Sequence, residues 1–181
     1  LWEATAFRDG EVEAEVWVGE GADAGLLIRA TEPKEGTDAV HAYNINLSTG
    51  AGRLRLGKHR NSWQSVKEVR SGWERGRWLH VRVVAEGPRI RIYLNKGTEP
   101  LIDYVDPEPL LEGKIGFRTF QAQAAVRNIV IRTGEQIVAV PMKPVTTLPA
   151  VANLRVSDAD RAALAAVCKV LLNLNEFVYI D

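Results

Sequence analysis

Apolar and polar residues alternate with period two through most of the first 133 residues, which predicts strands with one buried and one solvated face. The clearest case runs from Gly76 to Asn95. Leu79, Val81, Val83 and Ala85 alternate with His80, Arg82 and Val84, and Ile90, Ile92 and Leu94 alternate with Arg89, Arg91 and Tyr93. Glu86-Gly87 is read as the reversal of a hairpin, with Pro88 at the mouth of the second strand. Before it, the same pattern predicts strands over 11–18, 24–30, 40–48 and 53–59, with a weaker one over 63–69. Residues 19–23 are read as a loop, and Leu1–Arg8 as a first strand anchored by Trp2. In 40–48, Tyr43, Ile45 and Leu47 take one face, and Ala42, Asn44 and Asn46 the other. After the hairpin come strands over 101–105, 114–120 and 124–133. Many short strands separated by Gly or Pro signals predict an all-β sandwich over residues 1–134.

The pattern changes at Glu135. Pro141, Pro144 and Pro149 predict an extended linker over 135–156. Ser157 and Asp160 suit a helix start, and Leu164, Val167, Cys168 and Leu171 follow helical spacing. A single C-terminal α-helix and tail are therefore expected over 157–181.

Composition narrows the function classes. Lys plus Arg and Asp plus Glu number 23 each, so the overall charge gives no case for nucleic acid or an anionic membrane as partner. No apolar stretch is long enough to span a bilayer. Cys168 is the single cysteine, so no intrachain disulfide is possible, and it is read as a small hydrophobe on the helix stripe. The chain opens at Leu1 without an initiator Met or signal peptide, and is read as a piece of a longer protein.

Several segments carry a resemblance: Asp9-Gly10-Glu11-Val12-Glu13, Ala24-Gly25-Leu26-Leu27-Ile28-Arg29, Trp78–Val83, Ile90-Arg91-Ile92-Tyr93-Leu94 and Gly113-Lys114-Ile115-Gly116-Phe117. In this order they resemble the concanavalin A-like lectin/glucanase superfamily, most of all its laminin-G-like bacterial branch. That branch includes 3-keto-disaccharide hydrolase-like domains and fructan-binding modules. The resemblance covers about residues 1–133. It implies a two-sheet antiparallel jelly roll, a glycan or polysaccharide as partner, and an extracytoplasmic or secreted location. The tail from Ala162 resembles the C-terminus of large exported bacterial proteins that carry cytochrome-c-like domains, which implies neighbouring domains as further partners. No Cys-x-x-Cys-His haem site is present in this chain.

A sugar site in such a fold needs polar side chains on the concave sheet and an aromatic ring against a sugar face. Arg29, Asn44, Asn46, Arg55 and Arg118 have the polar parity of concave-sheet strands, and arginine and asparagine offer fixed multi-donor geometry. Arg29 stands out because it interrupts an apolar strand. Trp63 and Trp73 lie in loop-like sequence and are candidate stacking rings, of which Trp63 joins the expected site. Tyr43 and Trp78 are expected in the core. Taken singly, each of the polar residues fits an ordinary solvated face better, and a tryptophan is more often core than a stacking ring.

Glycoside hydrolysis needs two facing carboxylates. Glu11, Glu13 and Glu15 share one parity but would line a single strand, which fits a solvated convex face better than a catalytic pair. No catalytic residue is named. The expected function is a non-catalytic carbohydrate-binding module of a larger exported protein. Two alternatives stand beside it: a glycoside hydrolase of the 3-keto-disaccharide hydrolase type, and a structural domain docking on neighbours. No cofactor is expected. Asp9, Asp23 and Asp38 lie in loop-like sequence and are the candidates for a structural calcium. His41, His59 and His80 lack zinc spacing.

Overall fold

The structure is a computed structural model that describes residues 1, 6–31, 38–48 and 52–140. The expected helix over 157–181, and Trp2, lie outside the described residues. The described strands are β1 (Gly10–Thr31), β2 (His41–Ser48), β3 (Arg53–Arg60), β4 (Trp63–Arg70), β5 (Trp78–Glu86), β6 (Arg89–Leu94), β7 (Ile102–Val105), β8 (Lys114–Thr133) and β9 (Gln136–Ala139). All pairings are antiparallel. No helix among the described residues is long and apolar enough to cross a membrane.

Two long strands make the sandwich. The first half of β1 pairs with β5, from Gly10↔Ala85 to Trp17↔Trp78, and the second half pairs with β2, from Asp23↔Ser48 to Thr31↔His41. On its other side β8 follows β1 from Glu11↔Arg132 to Ala30↔Lys114. Both strands therefore pass through both layers. Sheet I runs β7-β6-β5-β1-β8-β9 and sheet II runs β4-β3-β2-β1-β8. Between them one core gathers Val12, Val16, Leu26, Ile45, Leu54, Leu56, Val83, Ile92 and Ile115, all at most 1% exposed.

The sequence pattern divides β1 and β8 into two strands each, and the structure joins them. Gly19–Asp23 and Gln121–Gln123 are corners within continuous strands. The ladder shifts register between Val18 and Gly21, and such a bulge bends a strand without ending it. The approach there is close. A Cβ on Gly21 would stand 1.9 Å from the Gln121 carbonyl oxygen, and Gly21 holds φ +116°. Two other boundaries also move. Glu86 pairs with Arg89, so the hairpin loop is Gly87-Pro88, with Gly87 at φ +50° supplying the left-handed residue. Gln136–Ala139 pairs with β8 as an edge strand, within the stretch read as the start of a linker.

One end of the sandwich is sealed by polar groups. Arg29, expected on the sugar-facing surface, is turned inward by a bulge between Ile28 and Thr31 and by its own φ of 52°. It is 0% exposed. Its guanidinium donates to the carbonyls of Arg8 (2.8 Å), Gly87 (2.8 Å) and Leu110 (2.9 Å) and to Asp9 Oδ1 (3.1 Å). Burial pulls its pKa down, and Asp9 opposes that shift. Beside it, Tyr43 Oη donates to Asp106 Oδ2 at 2.5 Å and Lys58 Nζ donates to the same oxygen at 2.6 Å. Burial and that carboxylate push the Tyr43 pKa up. A buried carboxylate with two such donors has the partners its desolvation requires. Tyr43 is buried, as expected, and so is Trp73, whose Nε1 donates to the Arg53 carbonyl at 3.1 Å. The candidate ring Trp73 is therefore inside. Trp78, expected in the core, is instead 38% exposed on the outside of sheet I.

Candidate functional site

The two outer faces are built from the same period-two alternation, and they differ in how their polar groups are satisfied. On sheet I the β1 row of Glu11, Glu13 and Glu15 is closed by cations from β5 and β8. Arg82 donates to Glu11 (3.1 Å), and Arg132 donates to Glu11 (2.9 Å) and Glu13 (2.7 Å). His80 Nε2 lies 3.1 Å from Glu13, and Arg127 and Asn128 each donate to Glu15 at 2.7 Å. Burial raises the Glu13 pKa, but hydrogen bonds to His80 and Glu11 and the charge of Arg132 outweigh it, so the net shift is down. The Arg127 hydrogen bond lowers that of Glu15. Arg82 stacks on Tyr93 with its Cζ 3.7 Å from the ring centroid, and Arg127 on Trp78 at 3.9 Å. This acid row is an ion-pair lattice and offers no facing carboxylate pair.

On sheet II the register sets four transverse rows. Trp63, His59 and Ala42 lie abreast. Next come Ser65, Gly57, Asn44, Leu27 and Gly116, and then Glu68, Arg55, Asn46, Gly25 and Arg118. Arg70, Arg53, Ser48, Asp23 and Phe120 form the last row. Pleating puts each row on one side, opposite the core residues Tyr43, Ile45, Leu54 and Leu56. Five of the six sequence-predicted site residues, Asn44, Asn46, Arg55, Trp63 and Arg118, thus share this face. Arg29 does not join them.

The middle of the face is buried and charged. Asn44 and His59 are 0% exposed and Asn46 is 1%. Burial pushes the His59 pKa down to about 4, with Asp38 opposing and Arg118 reinforcing. The ring is neutral; its Nε2 lies 3.3 Å from Asn44 Nδ2, and its Nδ1 lies 3.4 Å from Asp38 Oδ1 without the geometry of a hydrogen bond. Arg118 donates to Asp38 at 2.7 Å and to Asp23 at 3.4 Å, and stands over the Phe120 ring. Burial raises the Asp23 pKa, partly offset by a hydrogen bond from Asn46 and by the charge of Arg118. At the β3–β4 edge Arg53 and Arg55 grip the two oxygens of Glu68. The Trp63 indole, 37% exposed, lies over Gly57, where a Cβ would come within 2.6 Å of Nε1.

Buried polar atoms normally have partners. Four buried side-chain atoms among the described residues do not: Asn44 Oδ1, Asn46 Oδ1, His59 Nδ1 and His80 Nδ1. Three of the four lie together on this face. Asp23, Asp38, His59 and Glu68 were not among the expected binding residues. Asp23 and Asp38, the expected calcium carboxylates, both face Arg118, while Asp9 accepts from Gly87 N and Arg29. Among the described residues no group of three or more His, Cys, Asp or Glu is arranged to hold a metal. His59 shares the parity of Arg53 and Arg55 in β3, the one sequence signal that would have brought it in.

The fold has known counterparts. A carbohydrate-binding module, CBM66, from Bacillus subtilis superposes with a TM-score of 0.60 at 22% identity, covering 70% of this chain and 76% of that one. A protein of unknown function with a galectin-like fold, also from Bacillus subtilis, gives 0.58 at 16% identity over 76% of each chain. At those identities the likeness is one of fold. A levanase from Bacillus sp. (strain L7) is 34% identical over 128 residues, which are 69% of this chain and 13% of the levanase. The family profile of the 3-keto-alpha-glucoside-1,2-lyase-like domain matches residues 1–132, the stretch that holds β1 to β7 and nearly all of β8, and the chain belongs to that family.

Proposed function

We infer that residues 1–140 act as a carbohydrate-binding module whose site is the outer face of sheet II. The observation that carries this reading is the group of orphaned buried atoms, Asn44 Oδ1, Asn46 Oδ1 and His59 Nδ1, beside the Arg118 guanidinium. Two amide oxygens and a ring nitrogen without hydrogen-bond partners match the hydroxyls of a sugar, each of which both donates and accepts. Leaving such atoms unpaired costs about 1–3 kcal/mol each, and a hydroxyl-rich ligand would recover part of that. Trp63 stands at the rim, where its exposed ring offers an apolar surface to a pyranose or furanose face. The levanase relative and the carbohydrate-binding fold neighbour point to the same class of ligand and to fructan as a first probe. A polysaccharide is met outside the cytoplasm, so this reading includes an extracytoplasmic location in a larger protein.

The test is affinity electrophoresis through gels containing levan, inulin and a panel of other polysaccharides. Retention by at least one glycan is expected, lost in Asn46→Ala and Arg118→Ala and kept in Arg132→Ala on sheet I. Equal mobility of all four proteins in every gel overturns the reading.

One observation favours a second reading, that of a lyase. Burial raises the Asp23 pKa, which suits a carboxylate serving as a base. In a 3-keto glucoside the ketone acidifies the C2 hydrogen. Removal of that proton with cleavage of the C1–O bond gives a C1=C2 enone and an alcohol that takes up a proton. The wild-type chain incubated with a 3-keto glucoside would then show enone absorbance that Asp23→Asn abolishes, and a silent wild type removes this alternative.

A further inference from the structure

Charge on the sheet II face is not evenly distributed. The β3–β4 hairpin, Arg53–Arg70, holds six Lys or Arg residues against a single acid, Glu68, in a chain with 23 of each sign. Three of the six are committed elsewhere. Lys58 pairs with buried Asp106, Arg60 pairs with Glu108 at 3.0 Å, and Lys67 donates to the Asp103 carbonyl on β7 at 2.8 Å. The other three, Arg53, Arg55 and Arg70, lie on the outer face around Glu68. Arg53 stands directly opposite Arg70 in the ladder, where two like charges repel. Arg70 is exposed, and the two oxygens of Glu68 are taken by Arg53 and Arg55. Among the described residues, two further acids near this face, Asp23 and Asp38, are held by Arg118.

This cationic corner adjoins the orphaned amides: Arg55 is the register partner of Asn46. We propose that the guanidinium groups of Arg53, Arg55 and Arg70 form an anion-reading subsite, and that the ligand is an acidic polysaccharide bearing carboxylate or sulfate groups. The proposal rests on the glycan-binding reading above and names the class of glycan. Guanidinium is the side chain suited to it, because its planar fork matches a carboxylate or sulfate ester bidentately. A sugar ring over Asn44, Asn46 and Arg118 would place a substituent of a neighbouring residue over β3 and β4. Binding of that anion would relieve the repulsion between Arg53 and Arg70.

The experiment uses the 181-residue chain and matched polysaccharide pairs that differ only in charge: polygalacturonate against its methyl ester, and dextran sulfate against dextran. The first pair reports carboxylate and the second sulfate. Titration calorimetry at low ionic strength is expected to show the charged member of at least one pair bound about tenfold more tightly, the sum of a few exposed ion pairs. The preference should fade with added salt. An Arg53→Gln/Arg70→Gln double variant should lose the preference and nearly keep its thermal midpoint, since Arg70 is exposed and Arg53 half-exposed. Wild type that binds a neutral glycan with no preference within either pair overturns the proposal and leaves the glycan-binding reading intact. Binding to no glycan of either charge overturns both. Equal affinity for duplex DNA or for vesicles of anionic lipid overturns the proposal as general polyanion attraction. A preference that survives in the double variant also overturns it, because the anion is then read elsewhere.

Discussion

The outer faces of the two sheets start from similar material and end in opposite states. On sheet I three glutamates of β1 meet arginines and a histidine from the flanking strands, and each acid has at least two partners. On sheet II two asparagines, a histidine and an arginine converge, and three buried atoms are left without partners. On sheet I the carboxylates are all paired, and His80 Nδ1 is the one buried side-chain atom there without a partner among the described residues. A face that keeps several desolvated donors and acceptors unpaired carries a standing cost, which is why the proposed ligand is assigned to sheet II. Polarity alone does not separate the two faces; the degree of satisfaction does.

The sharpest division between the faces should appear in their pH dependence. His59 is held near pKa 4 in the fold, below its ordinary 6.5. The unfolded chain therefore takes up a proton that the folded one refuses. Stability should fall as pH drops from about 6.5 to about 4, by up to about 3 kcal/mol, and then level off for this group. Asp23, with its raised pKa, works against that fall, since folding favours its protonated form. On sheet I, Glu13 and Glu15 have lowered pKa values. Their contribution is present above the ordinary carboxylate range near 4.5 and is lost below it. Urea titrations from pH 8 to pH 3 should show two windows, with the upper one removed in His59→Gln. An unchanged upper slope in that variant would show that another group titrates there.

Binding should separate the faces next. Removing the Asn46 amide or the Arg118 guanidinium is expected to weaken glycan retention roughly a hundredfold, as for loss of a charge-assisted or buried hydrogen bond. The matched sheet I variant Arg132→Ala should bind as wild type does. If Arg132→Ala loses retention as well, the contrast between the faces is wrong. Trp63→Ala should have a smaller effect, about tenfold or less, in line with one aromatic contact, measured on the same polysaccharide by calorimetry. The smallest change is expected in the stability of Arg132→Ala. Its two ion pairs are partly exposed, so about 1 kcal/mol or less is expected from chemical denaturation.

Most of the strand plan was legible in the sequence, because a face buried on one side imposes period two on its own residues. Tyr43, Ile45 and Leu47 were separable from Asn44 and Asn46 by parity alone. Trp78 was not placed correctly, because a tryptophan carries no parity signal at the first position of a strand. The corner at Gly19–Asp23 reads as a loop because its residues suit a turn, and Gln121–Gln123 falls between two segments of alternation. They remain in the strands because β1 and β8 pair with each other through the bend. Arg29 is the instructive failure. Its position in an apolar strand was visible, but a single bulge changed the side it faces and made it a clasp on three carbonyls.

By itself the sequence determined the all-β class, the alternation in each strand, the central hairpin, and five of the residues that share the sheet II face. Those are local properties, written in the spacing of apolar side chains along one segment. Only the tertiary structure decided which strands lie side by side. It therefore decided that Glu11, Glu13 and Glu15 are neutralised by residues far along the chain, that Asp23, Asp38 and His59 meet Arg118, and that Asn44 and Asn46 keep unpaired oxygens. Partnering across strands depends on register between distant segments, and no periodicity within a single strand records it.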